Sequence, residues 1–292
     1  MCSSGRRPDQ ASLLAKGRAK SELRNVAPAE GRRPQKNKKY MKRISKNELK
    51  AIKGLQQKKQ RDLQERFVVE GEKIVRELLL QDRFVVEGLM GIEEYWAELP
   101  FEDWAQEPEQ YGLSGKELER MSGLTQPNKV LAVVAKREMP AIEGLDQGLS
   151  LVLDRLRNPG NLGTIIRMAD WFGVKNIFCS PDCVDFYNPK VIQASMGSFL
   201  RVNVHYVDLN QLFEDWAELP RYGALLAGEN VYDTPLKKGA FLLIGNESQG
   251  LSEELQAQLT QALSIPRFGE AESLNAAVAT GILLGEFAVR QL

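Results

Sequence analysis

Residues 149–171 read LSLVLDRLRNPGNLGTIIRMADW: an apolar run, then a turn holding proline and two glycines, then a helical pattern. The strand candidate is 149–154 and the helix candidate is 161–172. The same alternation continues downstream. Strand patterns at 174–179, 202–207, 223–228, 240–245 and 262–265 are separated by helical patterns at 190–198, 209–218, 252–261 and 274–291. Short apolar strands alternating with helices predict an α/β fold, a parallel sheet with helices on both faces. In such sheets ligands bind beyond the carboxyl ends of the strands, so chemistry is expected in the loops that follow them.

Upstream, 139–148 (MPAIEGLDQG) has the proline, glycine and polar content of a linker. It separates a first domain, 41–138, from a second, 149–292. In the first, Leu49, Ile52, Leu55 and Leu63 recur among lysines and glutamines, which predicts one amphipathic helix from Glu48 to about Arg66 with a basic outer face. A strand at 66–71, a helix at 72–81, a strand at 83–86, a helix at 115–121 and a strand at 130–135 complete a small α/β domain. RFVVEG occurs at 66–71 and 83–88, and WAELP at 96–100 and 216–220, but neither match extends, so no structural repeat is inferred.

The 292 residues are 43% hydrophobic and 27% charged, the composition of a soluble globular protein. No run approaches the ~20 apolar residues of a membrane span, and the N-terminus lacks the apolar core of a secretory signal, so a cytoplasmic protein is expected. The net charge of zero hides an asymmetry: residues 1–40 hold eleven Lys or Arg against three Asp or Glu, and the remainder holds 28 against 36. Without apolar periodicity, 1–40 reads as a basic disordered tail, either a phosphate-touching arm or a solvated extension. Met41, with Asn47-Glu48-Leu49 opening a helical pattern just beyond it, also reads as a natural start.

Three cysteines (Cys2, Cys179, Cys183) and one histidine (His205) provide neither a disulfide framework nor a zinc site. No metal is expected. Cys179 and Cys183 read as reduced thiols at a strand end, and His205, in an alternating strand pattern, as a packing or surface residue.

Three loops of the second domain hold the candidate chemistry. The first, from Asp154 to Arg167, places Asn161 as a helix cap and Arg167 about one and a half turns later; a capping residue and a surface arginine would look the same. It is neither a Walker A loop nor a Gly-x-Gly-x-x-Gly turn. The second runs Gly245-Asn246-Glu247-Ser248-Gln249-Gly250-Leu251-Ser252, with an acceptor at Glu247 and a cap at Ser252. The third runs from Ile265-Pro266 to Ser273-Leu274-Asn275, with Ser273 as the expected cap of an Ala-rich helix.

Read together, Asn161-x-Gly163-x-x-x-Arg167, Gly245-x-Glu247-x-x-Gly250-Leu251-Ser252, and Ile265-Pro266 followed by Ser273-Leu274-Asn275-x-x-Val278-Ala279 resemble the three signature motifs of the SpoU family, the TrmH-like RNA ribose 2′-O-methyltransferases of the SPOUT class. The match covers about 149–292, in order. Residues 45–137, including the run FVVEGEK at 67–73, resemble the small RNA-binding domain that precedes the catalytic domain in many members.

The resemblance implies a deep trefoil knot in the C-terminal sheet, S-adenosylmethionine as cofactor, and a homodimer whose site is shared between chains. It implies that backbone near Gly245, Ile265 and Leu274 carries the cofactor, with Ala227 and Gly228 closing the adenine pocket. The reaction implied is attack of a ribose 2′-hydroxyl on the cofactor's methyl group, with Arg167 as proton acceptor or electrostatic stabiliser. Asn161 would orient Arg167 or the ribose, and Glu247, Ser273 and Asn275 would hold loop and substrate. RNA would be the partner, ribosomal RNA preferred over transfer RNA, met by the Lys-rich stretch 46–61 and by Tyr95, Trp96, Phe101 and Trp104 either as base-stacking platforms or as core. A binding protein that keeps the fold without catalysis is the alternative from another class.

Overall fold

The computed structural model describes residues 41–98 and 104–290. The expectations for 1–40, for Phe101 and for the last two residues lie outside them. The described residues form one compact unit.

The first part of the chain runs β1 (Lys42–Arg43), α1 (Lys46–Gly54), α2 (Lys58–Gln64), β2 (Arg66–Glu70), α3 (Glu72–Leu79), β3 (Val86–Ile92), α4 (Glu93–Glu98), β4 (Glu109–Leu113), α5 (Gly115–Met121) and β5 (Val130–Ala135). The strands form one mixed sheet in the order β1-β4-β3-β5-β2. Capping boxes start α1 and α5: Ser45 with Glu48, and Ser114 with Glu117, each satisfy one another's orphan backbone groups.

Two expectations for this part shift, the helix over 48–66 and the strand at 83–86, and the choice left open for the aromatic cluster is decided. The single helix expected over 48–66 is two, because the chain turns at Leu55–Gln57 to bury Leu55 and to bring Arg61 inward. The second RFVVEG does not repeat the first: 66–70 is strand, whereas Arg83–Val85 precedes β3, which takes in only Val86–Gly88 of the hexapeptide. There Gln106 holds the entry, accepting from the Val86 N–H at 2.8 Å and donating to the Phe84 carbonyl at 2.8 Å. The aromatic cluster is core: Tyr95 and Trp96 are buried, Trp96 Nε1 donates to the Gly91 carbonyl at 2.9 Å, and half-buried Trp104 packs on the same core.

The second part runs β6 (Leu149–Leu153), α6 (Pro159–Trp171), β7 (Asn176–Cys179), α7 (Pro189–Ala194), β8 (Asn203–Tyr206), α8 (Leu209–Asp215), β9 (Arg221–Asn230), β10 (Ala240–Ile244), α9 (Glu253–Gln256), β11 (Gln261–Ser264) and α10 (Ala276–Val289). All six strands read from the sequence are present, in the order β11-β9-β10-β6-β7-β8, and every pair is parallel. The pattern of short apolar runs is that of strands covered on both faces. His205 is buried and stacked on Phe178, ring centroids 5.3 Å apart. Cys179 ends β7, and both it and Cys183 are buried free thiols.

The two sheets share a core. Phe67 and Phe84 from the first pack against Tyr187 and Phe199 from the second, with centroids 4.8–6.2 Å apart. Beside them Arg61, 1% exposed, reaches across to Asp185. Between β5 and β6 the chain is irregular apart from one short turn of helix at Leu145–Gln147.

Candidate functional site

Adjacent parallel strands send their following loops to the same edge of the sheet. β6 and β10 pair in register from Leu149↔Ala240 to Leu153↔Ile244, so the loops starting at Asp154 and Gly245 emerge side by side. Asp154 ties them together. Its buried carboxylate accepts the Ser252 N–H at 2.8 Å and Arg155 Nε at 3.1 Å, while its own N–H donates to the Ile244 carbonyl at 2.9 Å. Arg155 adopts a left-handed conformation (φ 54°), and its Nη1 donates to Gln249 Oε1 at 3.1 Å.

The second loop closes on itself. Asn246 and Gly250 exchange backbone hydrogen bonds at 3.0 and 2.9 Å, and Asn246 Oδ1 accepts the N–H groups of Ser248 and Gln249. Its Nδ2 donates to the Arg155 carbonyl at 2.8 Å. Gly250 has a φ of +67°, which favours glycine. A Cβ at Gly245 would overlap the Gly250 carbonyl carbon and the Leu251 nitrogen. Glycine is therefore required there by the loop's own backbone rather than by a ligand.

Two expected caps are corrected. Asn158, not Asn161, caps α6: its Oδ1 accepts the N–H groups of Gly160 and Asn161 at 2.8 and 3.2 Å, ahead of proline at the first helical position. Asn275, not Ser273, caps α10, accepting from Ala277 and Val278 at 2.9 and 3.2 Å. Ser273 is exposed and makes no hydrogen bond among the described residues.

Freed from capping, the Asn161 amide joins three loops. Its Nδ2 donates to Glu247 Oε1 at 2.7 Å, and its Oδ1 accepts from Asn275 Nδ2 at 3.0 Å. One residue from each of the three motifs thus enters a continuous chain, Asn275–Asn161–Glu247. Arg167 lies six residues, or about 9 Å of helix, beyond Asn161. It is exposed and has no hydrogen-bond or ion-pair partner among the described residues, so Asn161 does not contact it there. The sequence reading missed Asp154, Asn158 and Asn246 as organisers. The Asn-Pro step at 158–159 was the available signal for one of them.

The remaining candidates lie on backbone without ladder partners. β9 pairs with β11 through Tyr222 and Gly223, then resumes at Glu229 and Asn230, and its pairing with β10 ends at Gly223. Ala224–Gly228 therefore bows out of the sheet, leaving Leu226, Ala227 and Gly228 exposed. Gly228 passes close to β11, where a Cβ would come within 2.8 Å of the Ala262 carbonyl carbon, and its carbonyl accepts from Ser264 Oγ at 2.9 Å. From Ile265 to Leu274 no backbone–backbone hydrogen bond forms among the described residues, and Leu274 is 48% exposed. A bowed stretch within β9 and the loop that follows β11 thus both lie outside the ladder. This suits a ligand with a flat, hydrogen-bonding heterocycle and an apolar body.

Comparison with known proteins gives the arrangement its context. The model of the SpoU rRNA methylase family matches residues 148–285, and that of the MRM3-like substrate-binding domain matches 46–132. The chain is 30% identical over 239 residues to the 23S rRNA (guanosine(2553)-2′-O)-methyltransferase RlmP of Bacillus subtilis, covering 80% of this chain and 92% of that protein. A TrmH-family structure from Porphyromonas gingivalis aligns with a TM-score of 0.75 at 35% identity, over 85% of this chain and all of the other. The AdoMet-bound rRNA methyltransferase of Sinorhizobium meliloti aligns with a TM-score of 0.77 at 30% identity, over 87% of this chain and 99% of that one.

Proposed function

The chain belongs to the SpoU rRNA methylase family, and from that premise we propose that it methylates a ribose 2′-hydroxyl of ribosomal RNA in the cytoplasm, as a homodimer, with Arg167 at the reacting hydroxyl. The enzyme class is that of an RNA ribose 2′-O-methyltransferase with S-adenosylmethionine as cofactor. Ribosomal RNA is favoured over transfer RNA because the relatives named for a ribose target in ribosomal RNA include one matched over nearly its whole length. The carrying observation is the Asn275–Asn161–Glu247 chain, which fixes three sequence-distant motifs beside one unpartnered arginine.

The backbone outside the ladder at Ala224–Gly228 and Ile265–Leu274 fits the cofactor, which when bound supplies an electrophilic methyl group on a sulfonium. In this reading Ala227, Gly228 and Ile265 present backbone to the adenine, and Gly245 and Leu274 bound the rest of the pocket. Arg167, whose donors have no partner among the described residues, holds the developing alkoxide by hydrogen bonds, and an RNA phosphate accepts the hydroxyl proton. Glu247 and Asn275 hold Asn161, and Ser273, without an internal partner, is left to meet the RNA.

Threading of α10 as the end of a trefoil knot belongs to the same proposal. The dimer is supported by exposed apolar side chains on two helices: Trp171 on α6 is 85% exposed, and Val278 and Val289, eleven residues or about three turns apart on α10, are also exposed. For the first domain, exposed Lys46, Lys50, Lys53, Lys58 and Lys59 on α1 and α2 supply phosphate contacts. We place the domain boundary within 139–148.

The test is Arg167→Ala. Calorimetric affinity for S-adenosylmethionine should stay within about threefold, while transfer of labelled methyl to unmodified ribosomal RNA falls about 100-fold or more. Nuclease mapping of the wild-type product identifies the 2′-O-methylated nucleotide. Retained transfer by the variant removes Arg167 from the reaction.

A further inference from the structure

A cavity of about 270 Å³ lies far along the chain from the three motifs, between the segment that leaves β5 and the edge strand β8. Its walls are largely apolar, with Met139, Phe186, Val204 and Val207 among them. Besides Tyr187 and Tyr206, whose hydroxyls donate to the Arg137 and Val184 carbonyls, two polar side chains line it, Arg137 and His205. Both have a buried nitrogen without a hydrogen-bond partner: Nε of Arg137 and Nε2 of His205, whose residue is only 7% exposed. Buried polar atoms of this kind cost stability unless something satisfies them, and two in one cavity call for one explanation.

Arg137 and Arg83 both donate to the same acceptor, Asn203 Oδ1, at 3.0 and 2.8 Å. The other acceptors of Arg83 are the carbonyls of Leu200 and Arg201, so no carboxylate is among the hydrogen-bond partners of either guanidinium. Burial, and then the Arg83 cation, lower the Arg137 pKa, and burial followed by Arg137 lowers that of His205. Arg137 is nevertheless firmly placed. Its guanidinium lies 4.8 Å over the Phe84 ring, its N–H donates to the Tyr187 hydroxyl at 3.2 Å, and that hydroxyl donates back to the Arg137 carbonyl at 3.1 Å.

We propose that this cavity binds a small organic carboxylate, with the carboxylate accepting from Arg137 Nε and His205 Nε2 and the apolar body lying against Phe186, Val204 and Val207. A neutral imidazole supplies the second donor once its proton sits on Nε2. One carboxylate thereby satisfies both orphan nitrogens and neutralises an otherwise uncompensated cation. A phosphate would strand its further oxygens on apolar walls, which makes a monocarboxylate the better match. Because Arg137 lies on the segment between the two sheets and His205 on the second sheet, the ligand bridges them and stabilises their junction.

His205 is the only histidine in the chain, so a ¹⁵N-histidine label in untagged full-length protein reports on this cavity alone. Hexanoate is titrated, with hexanamide and inorganic phosphate at matched ionic strength as controls. The expected result is a saturable shift of the His205 resonances to the Nε2–H tautomer and a higher melting temperature with hexanoate only. Arg137→Gln should weaken that binding about tenfold or more, the worth of one charge-assisted hydrogen bond. Three outcomes overturn the proposal: no saturable response to hexanoate, an equal response to hexanamide or phosphate, or unchanged affinity in the variant. Should Arg137→Gln fail to fold, the comparison of hexanoate with hexanamide on the wild-type chain still decides.

Discussion

Replacing Arg61 with methionine tests how the two sheets are held together. The guanidinium is buried and fully engaged: Nε and Nη2 donate to Asp185 Oδ2 at 3.1 and 2.6 Å, and Nη1 donates to the carbonyls of Leu55 and Gln56 at 2.9 and 3.0 Å. Methionine fills much of the volume but leaves Asp185, whose side chain is 13% exposed, without its counter-ion and leaves two carbonyls without donors. Breaking one side of a buried pair costs about 3–5 kcal/mol, and at about 2–4 °C per kcal/mol for a unit of this size the melting temperature should fall by about 10 °C. Asp185→Asn alone should cost a comparable amount, because it strands the guanidinium. The double variant should be no less stable than Arg61→Met, since the stranded charge is gone and an oxygen remains for the Tyr187 N–H, which Asp185 Oδ1 now accepts at 3.2 Å. Thermal and urea unfolding of all four proteins measures the cycle. Additive losses, or a fall of less than about 3 °C for Arg61→Met, would refute the idea that this pair anchors the junction.

Four further outcomes follow from the geometry. Asn161→Ala should leave the melting temperature within about 2 °C, because Asn158 caps the helix, yet reduce methyl transfer more than about tenfold; Asn158→Ala should instead destabilise by about 1 kcal/mol. Gly245→Ala should abolish measurable cofactor binding in calorimetry while the protein remains folded, since the added methyl must push the 245–251 backbone apart. Trp171→Arg should shift the species seen by analytical ultracentrifugation from dimer to monomer; an unchanged dimer would place the interface elsewhere. Burial and the Arg137 charge lower the His205 pKa, so below about pH 6.5 the unfolded chain takes up a proton that the folded chain refuses. Stability contributed by this group is therefore present above that pH and lost as pH falls toward the folded value. His205→Phe should lose less stability between pH 7.5 and 5.5 than the wild type, as read from urea midpoints.

How far the fold was legible depended on whether local pattern and tertiary burial agreed. The six strands of the parallel sheet are short apolar runs bounded by turns, such as FLLI at 241–244 before Gly245, and they were found close to their true limits. In the first sheet, β4 reads EQYGL and α4 reads EEYWAE, neither with a clear period, and both were missed. Their apolar residues are instead selected one at a time by the core, as the burial of Tyr95, Trp96 and Tyr111 shows. The expected caps differ from the observed ones by three residues at α6 and two at α10, because several polar residues precede each helix and only the backbone conformation selects among them.

The site itself was legible as residue types but not as an arrangement, for a physical reason that differs between the loops. Parallel pairing of β6 with β10 is enough to set the loops after them side by side, so the meeting of Asn161 with Glu247 follows from strand order once that order is known. Nothing in the sheet places Asn275. It follows ten residues without backbone–backbone hydrogen bonds and is brought to Asn161 only because α10 packs against α6 through Gly281 and Met168, while Arg290 at the far end donates to the carbonyls of Thr234 and Val231 at 2.8 and 3.1 Å. The hydrogen bond between Asn275 and Asn161, which closes the three-motif chain across 114 positions, therefore depends on how α10 is docked. A variant that weakens that packing without touching any motif residue, such as Gly281→Val, should uncouple the third loop from the other two. Loss of methyl transfer with α6 and its Asn158 cap intact would show that the docking of α10, rather than the sheet, completes the site.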